Sequence, residues 1–193
     1  MPVLNRIAEF HEEMTRWRRE LHAHPETAFE EVWTSDFIAA RLAEIGVDKI
    51  ERGIAKTGIV ATIKGQGSSE RSIGLRADFD ALDITETTGK EWASTLPGKM
   101  HACGHDGHTT MLLGAAKYLA ETRNFDGTAV LIFQPAEENE GGGRVMVEEG
   151  LFERFPVDAV YGMHNRPGLA LGKMCMRAGP AMAGFDIFEI TIH

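Results

Sequence analysis

Helix-type and strand-type patterns alternate along this chain, and that alternation limits the folds it can adopt. Apolar residues recur at three- and four-residue steps over residues 5–22 and 108–122, which predicts amphipathic helices. Residues 28–45 predict a further helix that ends at Gly46. Predicted strands occupy Gly58–Lys64, Ser72–Asp78, 128–133, 159–163, 171–176 and 185–193. Alternating helices and buried strands predict an α/β fold, with a mostly parallel mixed sheet flanked by helices.

Charge and cysteine content exclude several classes of protein. The chain has 29 acidic and 20 basic side chains and a formal net charge of -9. Because an acidic protein repels nucleic acid and anionic membrane surfaces, neither is expected as a partner. No segment approaches the roughly 20 apolar residues of a membrane helix, and the first residues lack the apolar core of a signal peptide. The two cysteines, Cys103 and Cys175, form no disulfide framework, so a reducing, cytoplasmic setting is expected.

Polar side chains with metal-binding chemistry follow several predicted strands or lie in the loops after them. These side chains are Asp78, Asp80, Cys103, His105, Glu137, Glu138 and His164. The carboxyl ends of parallel strands meet at one edge of a sheet, so these groups are expected in one crevice. Four carboxylates there would repel one another strongly unless a cation lay among them. The sequence therefore predicts a metal site at this edge.

The segment HACGHDGH (101–108) holds the densest group of candidate ligands. Residues two apart in an extended backbone point the same way, so Cys103 and His105 can face one ion. Thiolate, imidazole and carboxylate donors suit zinc, and also manganese, cobalt or nickel. The alternative is a helix N-terminal turn whose histidines only form hydrogen bonds. His101 and His108 are expected to support the site or to face substrate.

The carboxylate pairs leave more than one role open. Neighbours in an extended segment point apart, so one of Glu137 and Glu138 can bind metal while the other takes a proton from water. Alternatively, both are solvated glutamates on a loop. Asp78 and Asp80 either cap a turn or orient a metal ligand. His164 directly follows a predicted strand, and Asn165 after it is a candidate for supporting the site or binding substrate.

Six segments of the chain together resemble one known family. They are RRELHAHPETAFEE (18–31), GLRADFDALDITE (74–86), MHACGHDGHTTMLLGAA (100–116), FQPAEE (133–138), EEGLFE (148–153) and GMHNRPG (162–168). In this order they resemble the N-terminal part of the metal-dependent amidohydrolases that include hippurate hydrolase, N-acyl-L-amino acid amidohydrolase and plant auxin-conjugate hydrolases. The match of MHACGHDGH is highly specific, and the six segments span nearly the whole chain.

The resemblance implies a zinc-peptidase-like catalytic domain and two divalent metal ions: zinc, manganese, cobalt or nickel. As metal ligands it implies Cys103, His105, Glu138 and His164. Glu137 would be the general base and then the general acid, and Asp78 a catalytic aspartate that orients a metal ligand. The implied reaction is hydrolysis of the amide bond of small, hippurate-like N-acyl amino acids. A lid domain often mediates dimerisation in this family, so the full-length protein is expected to form a homo-oligomer.

Members of this family are longer than this chain, and the resemblance therefore predicts its domain organisation. Residues 1–183 would be the N-terminal part of the catalytic, metal-binding domain. Residues 184–193 would be the first strand of a lid or dimerisation domain, or an edge strand. The second metal site would then be incomplete here, and the alternative function is a metal-binding domain without activity of its own. A thiol enzyme that uses Cys103 with His105 or His164 is a further alternative.

Overall fold

The structure is a computed structural model that describes residues 4–182, 184 and 188–192. Its helices are α1 (Asn5–Glu9), α2 (His11–Ala23), α3 (Val32–Ile45), α4 (His105–Thr122), α5 (Gly142–Glu148) and α6 (Leu151–Arg154). Its strands are β1 (Lys49–Ile54), β2 (Gly58–Lys64), β3 (Ser72–Asp78), β4 (Thr128–Gln134) and β5 (Ala159–Gly162). Within these described residues, none of the helices combines the length and the apolar character needed to cross a bilayer.

One five-stranded mixed sheet organises the chain, in the order β1-β2-β4-β3-β5. The strands β3, β4 and β5 run parallel, whereas β1 and β2 are antiparallel to their neighbours. Asp78 at the end of β3 pairs with Gln134 at the end of β4, so the carboxyl ends of both strands lie at one edge. The predicted α/β fold with a mixed sheet flanked by helices is confirmed, and its three parallel strands place their carboxyl ends at one edge.

The central strand β4 is buried on both faces, which explains its continuous apolar sequence TAVLIFQ. Leu131 and Phe133 pack with α2, α3 and α4 on one face of the sheet. Val130 and Ile132 pack with α5 and α6 on the other face. Each such side chain contributes about 1.5–3 kcal/mol when it is fully buried. The sheet is therefore a rigid base for the loops at its carboxyl edge.

The start of α4 is fixed by a glycine that the loop requires. Gly104 precedes the helix with a φ of +90°, a left-handed conformation that disfavours side chains. A Cβ atom added at Gly104 would also lie 2.6 Å from Oδ1 of Asn165. The helix then begins at His105, three residues before its predicted start at residue 108. His105 is consequently the first helical residue at the sheet edge.

The other boundaries differ from the sequence prediction for local reasons. The helix predicted over residues 5–22 is interrupted at Phe10, between α1 and α2. The helix predicted from residue 28 begins at Val32, and the carboxylate of Glu26 accepts hydrogen bonds from the amides of its first turn. The sequence did not predict β1, whose residues KIERGI are mostly polar and partly exposed.

Two predicted strands near the end of the chain have a different outcome. Residues 171–176 form no strand, and no strand of the described residues pairs with them. Leu171 and Met176 are fully exposed. Residues 188–192 of the strand predicted over 185–193 carry no regular structure. Residues 183, 185–187 and 193, which include the predicted domain boundary, lie outside the described part of the chain.

Candidate metal centre and active site

Among the described residues, three overlapping groups of side chains that could hold a metal ion lie at the carboxyl edge of β3, β4 and β5. The groups are Cys103 with His105 and His164, Asp78 with His105 and His108, and His105 with Glu137 and Glu138. Within each group the ligand atoms lie within 4.8 Å of one another. The fold thus brings together residues from four separate segments, as expected when the carboxyl ends of parallel strands meet at one edge of a sheet. His105 is common to all three groups.

His105 is fully buried, and its two ring nitrogens have different surroundings. Nδ1 lies 3.0 Å from Oδ1 of Asp80, and because a carboxylate only accepts, Nδ1 is the protonated nitrogen. Nε2 has no hydrogen-bond partner among the described residues and lies 3.6 Å from Oδ2 of Asp78 and 3.7 Å from Oε1 of Glu138. Oε1 of Glu138 is also buried, and it too has no hydrogen-bond partner in the part of the chain that the structure describes. A lone pair and a carboxylate oxygen that face each other unpartnered fit a cation between them.

Cys103 and His164 complete this donor set from the solvent side. Nε2 of His164 lies 3.5 Å from Sγ of Cys103, and Nδ1 of the same ring donates to the carbonyl of Asn165 at 2.7 Å. Burial, together with the negative charges of Glu138, Glu137 and Asp78, raises the pKa of the Cys103 thiol to about 12. A thiol with so high a pKa is a poor free nucleophile, which argues against a thiol enzyme. The same negative surroundings attract a cation, and a bound cation deprotonates a coordinating thiol.

Asp78 and His108 form a buried pair beside His105. Nδ1 of His108 lies 2.6 Å from Oδ1 of Asp78, and its Nε2 accepts the backbone N–H of Asn165 at 3.0 Å. Both nitrogens of His108 therefore have hydrogen-bond partners within the protein. Burial acts to raise the pKa of Asp78, but the hydrogen bond from His108 and the charges of His105 and Arg76 outweigh burial and hold this pKa at about 2.

Asp80 connects two parts of the centre. Its Oδ1 contacts the ring of His105, and its Oδ2 accepts the backbone N–H of Glu138 at 3.0 Å. Asp80 makes a closer contact with His105 than Asp78 does, at 3.0 Å against 3.6 Å. Asp80 therefore makes the closer contact with the ring of His105, and the expectation that Asp78 orients a metal ligand stays a prediction.

Glu137 lies at the exposed rim of the centre, in the turn that follows β4. Partial burial and the nearby charges of Asp78 and Glu138 raise the pKa of its carboxyl. A carboxyl with a raised pKa exchanges protons more readily near neutral pH, as a general base and acid must. Oε1 of Glu138, next to it, lies 3.7 Å from Nε2 of His105. The expected division of roles between Glu137 and Glu138 stays a prediction.

A polar cluster that sequence reasoning did not identify lies beneath the start of α4. Asp106 contacts Nδ1 of His22 at 2.9 Å and Nε of Arg18 at 3.2 Å. The buried ring of His101 lies 6.3 Å from that of His22, and burial lowers the pKa of His101 to about 4. No donor group found among the described residues includes His101. His22 and Arg18 lie in the segment RRELHAHPETAFEE, which the resemblance included without giving them a role.

The donor groups described above lie within a segment that matches a known protein family. The model of peptidase family M20/M25/M40 matches residues 74–192. The chain is 44% identical to a hippurate hydrolase of Campylobacter jejuni, over all of this chain and 49% of that protein. It is 46% identical to an IAA-amino acid hydrolase of Arabidopsis thaliana, over 95% of this chain and 41% of that protein. The chain therefore spans about half the length of these relatives.

A solved structure gives the same result for the fold. A dinuclear metal-binding peptidase of the M20 family from Bacillus subtilis superposes with a TM-score of 0.78 at 43% sequence identity. The superposition covers 84% of this chain and 45% of that protein. The fold of this chain thus has a counterpart in a dinuclear metal-binding peptidase.

Proposed function

Since the chain belongs to peptidase family M20/M25/M40, we propose that it carries the metal-binding half of an amidohydrolase for small N-acyl amino acids. One observation supports this most strongly: Nε2 of His105 and Oε1 of Glu138 are buried, unpartnered and 3.7 Å apart. Relatives named for hippurate and for IAA-amino acid conjugates support an N-acyl amino acid as the substrate class.

The donor chemistry favours a divalent ion such as zinc, manganese, cobalt or nickel. The proposed ligands are Cys103, His105, Glu138 and His164. One thiolate, two imidazoles and one carboxylate form a mixed set suited to these ions. When bound, such an ion polarises a carbonyl and lowers the pKa of a water. Because Cys103 serves only as a reduced thiol, we propose a reducing, cytoplasmic setting.

The residues of the chain supply the proton transfers. Glu137 takes a proton from the water whose oxygen bonds to the amide carbon. It then delivers this proton to the amine nitrogen as the carbon–nitrogen bond breaks, so a carboxylic acid and an amino acid leave. Its rim position and raised pKa suit both steps. Asp80 holds the His105 ring in one orientation meanwhile.

We also propose that the second of two metal ions is held incompletely by this chain. His105 belongs to every donor group, but Asp80 occupies its Nδ1, so only Nε2 can bind a metal. One nitrogen cannot complete two sites, and a second ion would depend on carboxylates such as those of Asp78 and Glu137. This favours a second candidate function, in which the 193-residue chain binds metal but does not turn over substrate.

Metal titration and hydrolysis, measured on the same preparations, test the proposal. Chelator-treated chain is titrated with zinc, manganese, cobalt or nickel, and cobalt ligation by Cys103 is followed by its thiolate absorption band. Hydrolysis of hippurate and N-acetyl amino acids is assayed with this chain and with a longer protein that contains it. We expect metal binding in both, and chelator-sensitive hydrolysis in the longer protein. Absence of metal binding would reject the proposed centre, and metal binding by the chain without turnover would support the second candidate.

A further inference from the structure

The turn that carries Glu137 is held from both sides by buried carboxylates. Oδ2 of Asp80 accepts the backbone N–H of Glu138 at 3.0 Å. On the other side, Oε1 of Glu31 accepts the backbone N–H of Ala136 at 2.9 Å. Glu31 is fully buried at the start of α3, far from Glu137 in the sequence. The two amides that flank Glu137 therefore each have a carboxylate acceptor.

We propose that Glu31 is a positioning residue for the Glu137–Glu138 pair, which it holds in place through the amide of Ala136. This inference rests on the proposed function of that pair. Among the described residues, no hydrogen bond joins the side chain of Glu31 to the donor groups described above. Its effect on metal binding and on proton transfer is exerted through the backbone of the turn.

The conformation of the turn explains why it needs this acceptor. Ala136 is buried and has a φ of +51°, a left-handed conformation that costs roughly 1–2 kcal/mol for a residue with a Cβ atom. The carbonyl of Ala136 accepts the N–H of Gly142 at 2.9 Å. A Cβ atom added at Gly142 would lie 1.9 Å from the carbonyl oxygen of Pro135, so the turn closes tightly. Without Glu31, the Ala136 amide would be buried in this turn without an acceptor.

The second oxygen of Glu31 fixes the carboxylate itself. Oε2 accepts the hydroxyl hydrogen of Thr57 at 2.8 Å, in the tight connection between β1 and β2. Burial raises the pKa of Glu31, against the effect of these two hydrogen bonds. Burying a charged carboxylate costs free energy, and the two hydrogen bonds to Glu31 offset part of this cost. The contact joins the start of α3 to the loop after β4 and leaves the carboxylate little freedom to move.

Four variants distinguish positioning from general stabilisation. Glu31→Ala removes the acceptor. Glu31→Asp shortens the side chain by one methylene group and so moves the acceptor away from the amide of Ala136. Glu31→Gln keeps an acceptor for Ala136, because its amide nitrogen can donate to the freely rotating hydroxyl of Thr57. Glu26→Ala is the matched control, since Glu26 lies in the same loop but accepts hydrogen bonds from the first amides of α3.

The measurements are amide hydrogen exchange at Ala136 and Glu138 in chelator-treated chain, and cobalt affinity from titration. For Glu31→Ala we expect faster exchange at both amides and a loss of roughly 10–100-fold in cobalt affinity, as for other residues that orient a ligand. Glu31→Asp should also speed amide exchange and weaken cobalt binding. Glu31→Gln should behave like the parent in both measurements. Glu26→Ala should lower the melting temperature with little change in either.

Each outcome decides the proposal. Unchanged exchange at Ala136 in Glu31→Ala would overturn it, as would equal losses of cobalt affinity in Glu31→Ala and Glu26→Ala. If Glu31→Ala does not fold, the difference between Glu31→Asp and Glu31→Gln gives the answer, and identical behaviour of these two rejects the proposal. Failure of the parent chain to bind cobalt would reject the proposed function instead, while amide exchange would still test Glu31.

Discussion

Nδ1 of His105 lies 3.0 Å from Oδ1 of Asp80, and this contact determines which nitrogen of the ring remains for a metal. With the proton on Nδ1, the lone pair of Nε2 points toward Asp78 and Glu138. A carboxylate in this position also makes the imidazole a stronger donor. Asp80 therefore controls both the orientation and the basicity of the histidine that every donor group shares.

Replacing Asp80 by asparagine should weaken metal binding without removing a ligand. The amide has one acceptor oxygen, which cannot serve both the His105 ring and the N–H of Glu138 as the carboxylate does. We expect cobalt or zinc affinity to fall by roughly 10–100-fold, measured by titration against a competing chelator. Asp83→Asn, at an exposed position three residues later, is the control. Equal affinity in Asp80→Asn and parent would contradict the role given to Asp80.

Replacing Glu137 by glutamine should separate proton transfer from metal binding. Glutamine keeps the size of the side chain but cannot accept a proton from water. We expect hydrolysis of N-acyl amino acids by a longer protein containing this chain to fall by roughly 10²–10⁴-fold. Affinity of the 193-residue chain for the ion held by Cys103, His105, Glu138 and His164 should change little, because Glu137 is not one of these proposed ligands. As a control, Glu140→Gln alters an exposed neighbour in the same turn and should leave the rate of hydrolysis unchanged. An undiminished rate in Glu137→Gln would exclude Glu137 as the base.

The parts of the structure that the sequence predicted are those that follow from local pattern and strand direction. The apolar run of β4 predicted a buried strand. Because β3 and β4 are parallel, the polar residues at and after their carboxyl ends lie at one edge of the sheet. The position of His105 followed from its place in HACGHDGH. By contrast, β1 has no apolar periodicity and is held by its pairing with β2, so no local pattern revealed it.

Long-range contacts were not predictable in the same way. Glu31 and Ala136 are 105 positions apart, and neither has a neighbouring pattern that specifies the other. The division of roles between Asp78 and Asp80 also depends on tertiary packing, because both follow the same strand and only the placement of α4 decides which carboxylate meets Nδ1 of His105. The apolar run over residues 171–176 resembles a strand, but no strand in the described part of the chain pairs with it, and Leu171 and Met176 are exposed.

The reactivity of Cys103 should report its surroundings. In chelator-treated chain we expect slow alkylation by iodoacetamide at pH 7–8, with a rate that still rises above pH 9, because the raised pKa keeps the thiol protonated. Exposed Cys175 is the internal comparison, and peptide mass analysis separates the two sites. Added zinc should protect Cys103 further and leave Cys175 reactive. Fast alkylation of Cys103 at neutral pH, with or without metal, would support the thiol-enzyme alternative.

Acid should destabilise the metal-free chain partly through Asp78. Its pKa is held at about 2 in the folded state, below its ordinary value of 3.8, so the folded state favours the carboxylate. The stabilisation is present above the unfolded pKa and is lost as pH falls from about 4 through 2, because the unfolded chain binds the proton first. A shift of this size corresponds to about 2 kcal/mol.

Urea unfolding of chelator-treated protein between pH 5 and pH 3 measures this contribution. The free energy of unfolding should fall with decreasing pH less steeply in Asp78→Asn than in the parent, since the variant has lost the titrating group. Asp78→Asn should also be less stable than the parent at pH 5, because His108 and Arg76 lose their charged partner. Asp83→Asn, exposed in solvent, should follow the parent curve. Parallel curves for Asp78→Asn and the parent would show that Asp78 is not the group whose protonation weakens the fold in acid.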